Sequence, residues 1–206
     1  TSIGYGAFQI CFGFTGDLTI PNSVVSIGDF AFNSCDGMTG TLSIPSSVTS
    51  LGPDTFSYTA FSGITVDPEN SVYDSRDNCN AIIETDSNEL ITGCKSTFIP
   101  NTVTTIGYDA FKGCMGLTTI DIPNSVTSIG ADAFSFCYGL TGDLTIPNSV
   151  KTIGAGAFFY CSSFDGTLTI GESVTFIGDY AFANCSSLKN VSTIYGVTEI
   201  PAYCFQ

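Results

Sequence analysis

The chain has no histidine, and only five lysines and arginines among its 206 residues. Without histidine it lacks the usual base for a serine or cysteine nucleophile and the commonest metal ligand. Nineteen aspartates and glutamates set the formal net charge at −14. A chain so poor in cations cannot neutralise clustered phosphates, which argues against nucleic acid and against anionic lipid surfaces. No apolar run approaches the ~20 residues that a membrane-crossing helix needs, so direct insertion of this segment is not expected. Neither a P-loop nor a G-x-G-x-x-G at a strand-to-helix turn is present. These absences point away from an enzyme and from a cofactor. The acidity itself reads as solubility and resistance to self-association.

What the chain has in quantity is a repeat. I-G-x-x-A-F-x-x-C begins at Ile3, Ile27, Leu51, Ile106, Ile129, Ile153, Ile177 and Ile200, with gaps of 24, 24, 55, 23, 24, 24 and 23 residues. A period in the twenties marks a stacked solenoid, whose units bury their apolar edges only against their neighbours. With 43% hydrophobic residues, one continuous core over 1–206 is affordable. Both ends, TSIGYGAFQIC and IPAYCFQ, lie inside repeats and neither reads as a polar cap, so truncation within repeats is expected.

The aligned units give a template of about 24 residues, L-T-I-P-N-S-V-T-S-I-G-x-x-A-F-x-x-C-x-G-L-T-G. Leu18-Thr19-Ile20, Leu42-Ser43-Ile44, Leu144-Thr145-Ile146 and Leu168-Thr169-Ile170 alternate apolar and polar residues, as a strand with one buried face does. Proline, having no N–H for the ladder, should end that strand at Pro21, Pro45, Pro123 and Pro147. The glycine after each Ile (Gly28, Gly107, Gly130, Gly154, Gly178) is expected to supply a positive φ. Ile, Ala, Phe and Cys at offsets 0, 4, 5 and 8 share one face of a helix, which predicts short helical or 3₁₀ segments opposite a parallel sheet. The predicted fold is therefore an α/β repeat solenoid, a coil with a continuous sheet along one side.

Phe8, Phe32, Phe56, Phe111, Phe134, Phe158 and Phe182, with Phe205, hold one phase and form a predicted core column. Cys11, Cys35, Cys114, Cys137, Cys161 and Cys185 form another, as small buried hydrophobes; Thr59 takes their place in the third unit. They have neither C-x-x-C spacing nor partners for zinc. Outward columns run Thr19, Ser43, Thr65, Asp121, Thr145, Thr169 and, beside it, Asp17, Thr41, Thr119, Asp143, Thr167. Threonine suits an exposed strand position; equally, such columns could form a hydroxyl-rich, mildly acidic recognition surface.

The 55-residue gap holds one ordinary repeat and about 31 further residues, placed at 67–97. Ala81-Ile82-Ile83-Glu84 and Glu89-Leu90-Ile91-Thr92 flank a turn at Asp86-Ser87, which predicts an exposed β-hairpin. Residue numbers paired across that turn sum to 173, which sets Cys79 opposite Cys94, where either a disulfide or two free thiols would fit. The region also gathers Tyr73, Arg76, Asp77, Asn78, Glu84, Asp86 and Glu89, of which Tyr73, Arg76, Glu84 and Asp86 are candidate contacts, and loops on a rigid stack often carry function. Asp67, Glu69, Asp74, Asp77 and Asp86 are suitable oxygen ligands for calcium, but the EF-hand spacing is absent and a solvated acidic loop explains them as well.

The run from Leu117-Thr118-Thr119-Ile120-Asp121-Ile122-Pro123-Asn124-Ser125-Val126 to Ile129-Gly130 resembles the BspA-type leucine-rich repeat, L-x-x-I-x-I-P-x-S-V-x-x-I-G-x-x-A-F-x-x-C. Tyr73–Thr85 resembles a variant unit of the same family. The likeness covers nearly the whole chain; it is weakest in the last repeat, where Tyr195-Gly196 replaces Pro-Asn-Ser and Cys204 replaces Ala, and at Gly171, which replaces a strand-ending Pro. The resemblance implies an extracellular or cell-surface protein that adheres to host matrix or cells through protein, or glycan, contacts. It implies no catalytic residue, metal ligand or cofactor site. Two readings remain beside adhesion, a passive spacer presenting another domain and, more remotely, a calcium-binding surface module.

Overall fold

Each coil is built from two short extended pieces joined by turns. The first piece is the alternating L-T-I element, whose Leu and Ile point inward while Thr or Ser points out. Leu18–Thr19, Thr41–Ile44 and Gly63–Val66 pair in parallel, and Leu144–Ile146, Thr167–Ile170 and Asn190–Ser192 do the same. Pro45 and Pro147 follow their strands directly and Pro21 follows Thr19 with one residue between, whereas Pro123 has no strand to end. The carbonyls of Pro21, Pro45 and Pro147 accept from the N–H of Val24, Val48 and Val150, which closes a tight turn. The second piece carries the repeat's Ile. Ser2–Ile3, Ser26–Ile27 and Ser50–Leu51 form one parallel ladder. Thr105–Ile106, Ser128–Ile129, Thr152–Ile153 and Phe176–Ile177 form the other. The computed structural model describes residues 1–192, 196–197 and 199–206, and the chain is a β-solenoid of about eight turns with parallel sheets and almost no helix. Tyr195, where the last repeat departs from the template, lies outside the described residues.

The sheet is not continuous along one side. Ile120–Ile122 has the template sequence but forms no strand, and neither does Thr97–Ile99 before it. The L-T-I ladder is therefore interrupted over two coils, and Thr119 and Asp121 are exposed outside it.

Nor are the A-F-x-x-C segments helices. The third and seventh residues after each Ile turn left-handed: Phe30 and Ser34 (φ 57° and 59°), Asp132 and Phe136 (54° and 59°), Tyr180 and Asn184 (59° and 60°). A right-handed helix cannot contain them. The intervening N–H groups bond to the next coil instead: Phe111, Phe134 and Phe158 donate to the carbonyls of Ala133, Ala157 and Ala181, each at 2.7 Å. Spacing that suits one helix face also suits a coil corner with two kinks four residues apart. The single helical segment among the described residues is the 3₁₀ turn Arg76–Asn78, itself broken at Asp77.

The glycine after each Ile has an ordinary negative φ, contrary to expectation. What it supplies is room. A Cβ on Gly154 would lie 2.3 Å from the backbone N of Ala131, and one on Gly178 2.3 Å from that of Ala155. The neighbouring coil crosses there too closely for any side chain.

Inside, the phenylalanines stack face to face. Phe111, Phe134, Phe158 and Phe182 follow one another with centroids 4.9, 4.9 and 5.1 Å apart, and Phe8, Phe32 and Phe56 at 5.0 and 5.7 Å. Phe8 keeps the stacking, on Phe32 alone, and is 37% exposed, while Cys11 is partly buried. Phe205 stacks on Phe182 and is likewise 37% exposed. The cysteines do more than fill space. Cys35, Cys137, Cys161 and Cys185 each donate Sγ–H to the carbonyl of the Phe in the preceding coil, at 3.0 to 3.2 Å.

The irregular coil divides this core in two. Ala81–Glu84 and Glu89–Gly93 pair antiparallel, with Ile83 opposite Leu90 and Glu84 opposite Glu89. Glu89–Gly93 then continues in parallel with Thr105–Ile106, so that Leu90 takes the Ile place in the ladder. The Ala81–Glu84 strand is not exposed. Ala81 and Ile83 pack into the C-terminal block, and Ile82 into the N-terminal one. Cys79 and Cys94 are free thiols rather than a disulfide. A bulge between Ile82 and Ile83 shifts the register, and strand alternation sends Cys79 to the C-terminal block and Cys94 to the other.

Candidate functional site

Thr19, Thr145 and, more partially, Ser43 and Thr169 present outward hydroxyls on the two L-T-I ladders. The acidic column beside them is already engaged. Asp17 Oδ1 accepts from the Thr41 N–H and Asp143 Oδ1 from the Thr167 N–H, both at 2.7 Å, so each carboxylate ties its coil to the next.

In the irregular coil the candidates separate into struts and surface. Tyr73 is buried, and its hydroxyl accepts the Leu51 N–H at 3.2 Å, which stands in for a missing ladder bond. Arg76 grips Asp74 with two bonds (Nε–Oδ1 2.8 Å, Nη2–Oδ2 2.6 Å) and reaches Asn88 Oδ1 at 2.7 Å. Burial pulls the Asp74 carboxyl upward, but the Arg76 bonds and charge outweigh it and hold it below the usual carboxylate range. Glu84 accepts from the Ser87 hydroxyl, and Asp86 is exposed at the tip. Asp67 Oδ1 caps the Glu69 N–H. Among the described residues no three Asp, Glu or Cys side chains converge as a metal-ligand set.

Two features were not foreseen. The irregular coil has no A-F-x-x-C turn, so the turns before and after it meet: the Tyr58 N–H donates to the Lys112 carbonyl. Lys112 Nζ lies 3.0 Å from Asp109 Oδ1, 3.4 Å from Asp54 Oδ1 and 3.9 Å from Asp132 Oδ2. Asp54 and Asp109 are 7% and 6% exposed. One ammonium cannot serve two buried carboxylates fully. Burial, and then the Asp54 carboxyl with which it can share a proton, push Asp109 up to about 7 against the pull of Lys112. Burial likewise lifts the Tyr58 hydroxyl to about 12.

The second feature is aromatic. Phe136 stacks on Tyr160 at 5.5 Å, Phe159 touches Phe136, Tyr160 and Tyr180, and Tyr180 stacks on Tyr203 at 5.2 Å. The signal was present in the sequence as Phe136/Tyr160 and Tyr180/Tyr203, one repeat apart. It was hidden by the assumption of a helix, which would have set offsets 3 and 7 beside the buried Ile, Ala and Cys face.

The chain matches the model of the BspA type leucine rich repeat region in six copies, over residues 1–92 and 82–206. No functionally curated protein matches it. Among solved structures it is similar to a leucine rich cell surface protein from Faecalibacterium prausnitzii, at 24% identity and a TM-score of 0.57, over 97% of this chain and 70% of that one. It is also similar to the pneumococcal vaccine antigen PcpA, at 19% identity and a TM-score of 0.64, over 94% of this chain and 61% of that one. A leucine-rich repeat protein from Eubacterium ventriosum follows, at 20% identity and 0.58, over 98% and 76%. Identities this low support the shared fold alone. The family model, running through the whole chain, carries more: the chain belongs to the BspA-type leucine-rich repeat family.

Proposed function

We propose that this chain is a non-catalytic protein-binding scaffold of a bacterial cell surface, recognising a host-matrix or host-cell protein. The observation that carries the proposal is the rigid stack itself. Its coil-to-coil ladders hold outward residues in fixed register over about eight turns, an arrangement suited to a broad, preorganised contact. The surface location draws on the family and on the F. prausnitzii relative's description as a cell surface protein. No helix among the described residues is long and apolar enough to cross a membrane. Contact falls to Thr19, Ser43, Thr145 and Thr169 on the ladders, Thr119 and Asp121 between them, and Glu84 and Asp86 at the hairpin tip. Asp17, Asp143, Tyr73 and Arg76 serve the stack.

The test is binding of the purified chain to immobilised matrix proteins and host cells. Saturable binding to at least one protein, weakened about tenfold by combined lysine substitutions at Asp121, Thr145 and Thr169, supports the assignment. Saturable binding that those substitutions leave unchanged refutes the site. Absence of saturable binding to any protein would leave a passive spacer as the better account.

A further inference from the structure

The corner edge of the coils carries more aromatic surface than the stack requires. Both left-handed positions of each coil are cheapest for Gly, Asn or Asp, and several coils use them there: Gly156, Asn184, Asp109 and Asp132. Phe136, Tyr160, Tyr180 and Tyr203 hold the same positions at φ 58–59°. A non-glycine residue in that region is strained, and an aromatic ring does nothing to relieve it. Nor does core burial explain these rings. Tyr160, Tyr180 and Tyr203 are 39%, 44% and 54% exposed, and Tyr138 beside Phe136 is 37% exposed. Four consecutive coils thus hold a fixed aromatic strip facing solvent.

Its charge setting is one-sided. In the column that ends in Tyr180 and Tyr203, an earlier coil places half-buried Asp132, and exposed Asp179 adjoins Tyr180. Lys112 is already held by buried Asp54 and Asp109. A rigid tyrosine strip beside carboxylates in a chain of net charge −14 attracts cations twice over, through the ring faces and through the field. Neutral glycans would gain nothing from the acidic column, and anionic ones would be repelled.

We infer that the strip formed by Phe136, Tyr138, Phe159, Tyr160, Tyr180 and Tyr203 docks an extended, arginine- or lysine-bearing segment of another protein. Three coil steps of ~4.8 Å span ~14 Å, about four residues of extended chain. This inference rests on the protein-binding function proposed above and names a second surface and a partner chemistry for it.

The probe is a labelled peptide of alternating Arg and Ser, with a Glu-Ser peptide of the same length and a panel of neutral glycans beside it. Tyr160→Asn with Tyr180→Asn removes two rings while keeping residues that tolerate the left-handed backbone, as Asn184 already does. Circular dichroism and the melting temperature check that the fold survives, and Tyr160→Phe with Tyr180→Phe keeps the ring faces should the Asn pair unfold. The expected result is Arg-Ser binding that falls with added salt, weakens roughly tenfold or more in the Asn pair, persists in the Phe pair, and is indifferent to Thr145→Ala with Thr169→Ala. Equal binding by parent and Asn pair, or ladder-dependent capture of glycans alone, overturns the inference. If a matrix protein still binds the parent in either case, the scaffold function stands without it; if nothing binds the parent, both fall.

Discussion

Asp109→Asn should change how stability depends on pH, and its size can be worked from the Lys112 cluster. Asparagine keeps the shape of Asp109 and tolerates its φ of 56°. The folded carboxyl titrates at about 7 rather than near 3.8, so between those values the folded chain holds a proton that the unfolded chain has released. Stability contributed at this site is complete at the acid end of the window and declines as pH rises through it. Three pH units correspond to at most ~4 kcal/mol, and Lys112, Asp54 and Asp132 readjusting around the new charge should reduce this to about 2 kcal/mol. The assay is urea denaturation of parent and variant from about pH 4 to about pH 8, followed by circular dichroism. The variant should match the parent at the acid end and exceed it at neutral pH. Burial and Glu84 raise Glu89, adding a slope of the same sign, while Asp74 adds one of the opposite sign; both lie outside the Lys112 cluster and drop out of the difference. A constant gap, or a variant that weakens as pH rises, would mean that Lys112 at 3.0 Å outweighs burial, and the reasoning would be refuted.

Three further outcomes are expected. Phe134→Ala, in the middle of the stack, should lose about 3–5 kcal/mol, whereas Phe8→Ala should lose well under half of that because Phe8 is partly exposed; equal losses in denaturant titrations would contradict the stacked-column account. Gly93→Ala should destabilise severely, since its Cβ would lie 2.0 Å from the Phe111 ring, and a thermal melt like the parent's would show that the ring can move aside. Native-state alkylation at mildly alkaline pH should label partly exposed Cys11 first and spare Cys137, whose thiol is buried and raised well above its ordinary value; an unreduced digest should contain no linked Cys79–Cys94 peptide.

The architecture was legible because burial in a solenoid is strictly periodic. Every Phe and Cys of the repeat reports the same layer, and alternation in L-T-I fixes which strand face is wet. Corner geometry was less legible. Offsets 0, 4, 5 and 8 describe a helix stripe or a doubly kinked turn equally well, and only left-handed torsions at residues such as Asp132 and Phe136 decide between them. Glycine after Ile was assigned to torsional freedom when close coil crossing required it. The hairpin strands were readable, but not the one-residue bulge that parts Cys79 from Cys94. The Lys112 cluster lay beyond reach from sequence, because Asp54 and Asp109 are 55 positions apart and meet only where a coil lacks its corner.

Ala81–Glu84 acts as a partition wall, with one side facing each apolar block. In a stacked array cooperativity passes only between neighbours, so disruption starting at either terminus reaches this wall and must cross it through a few aliphatic side chains and a bulged pairing. Fraying can therefore consume the coils on one side while those on the other keep their shape, and a partner seated on the Phe136–Tyr203 strip is insulated from strain applied at the N-terminal end.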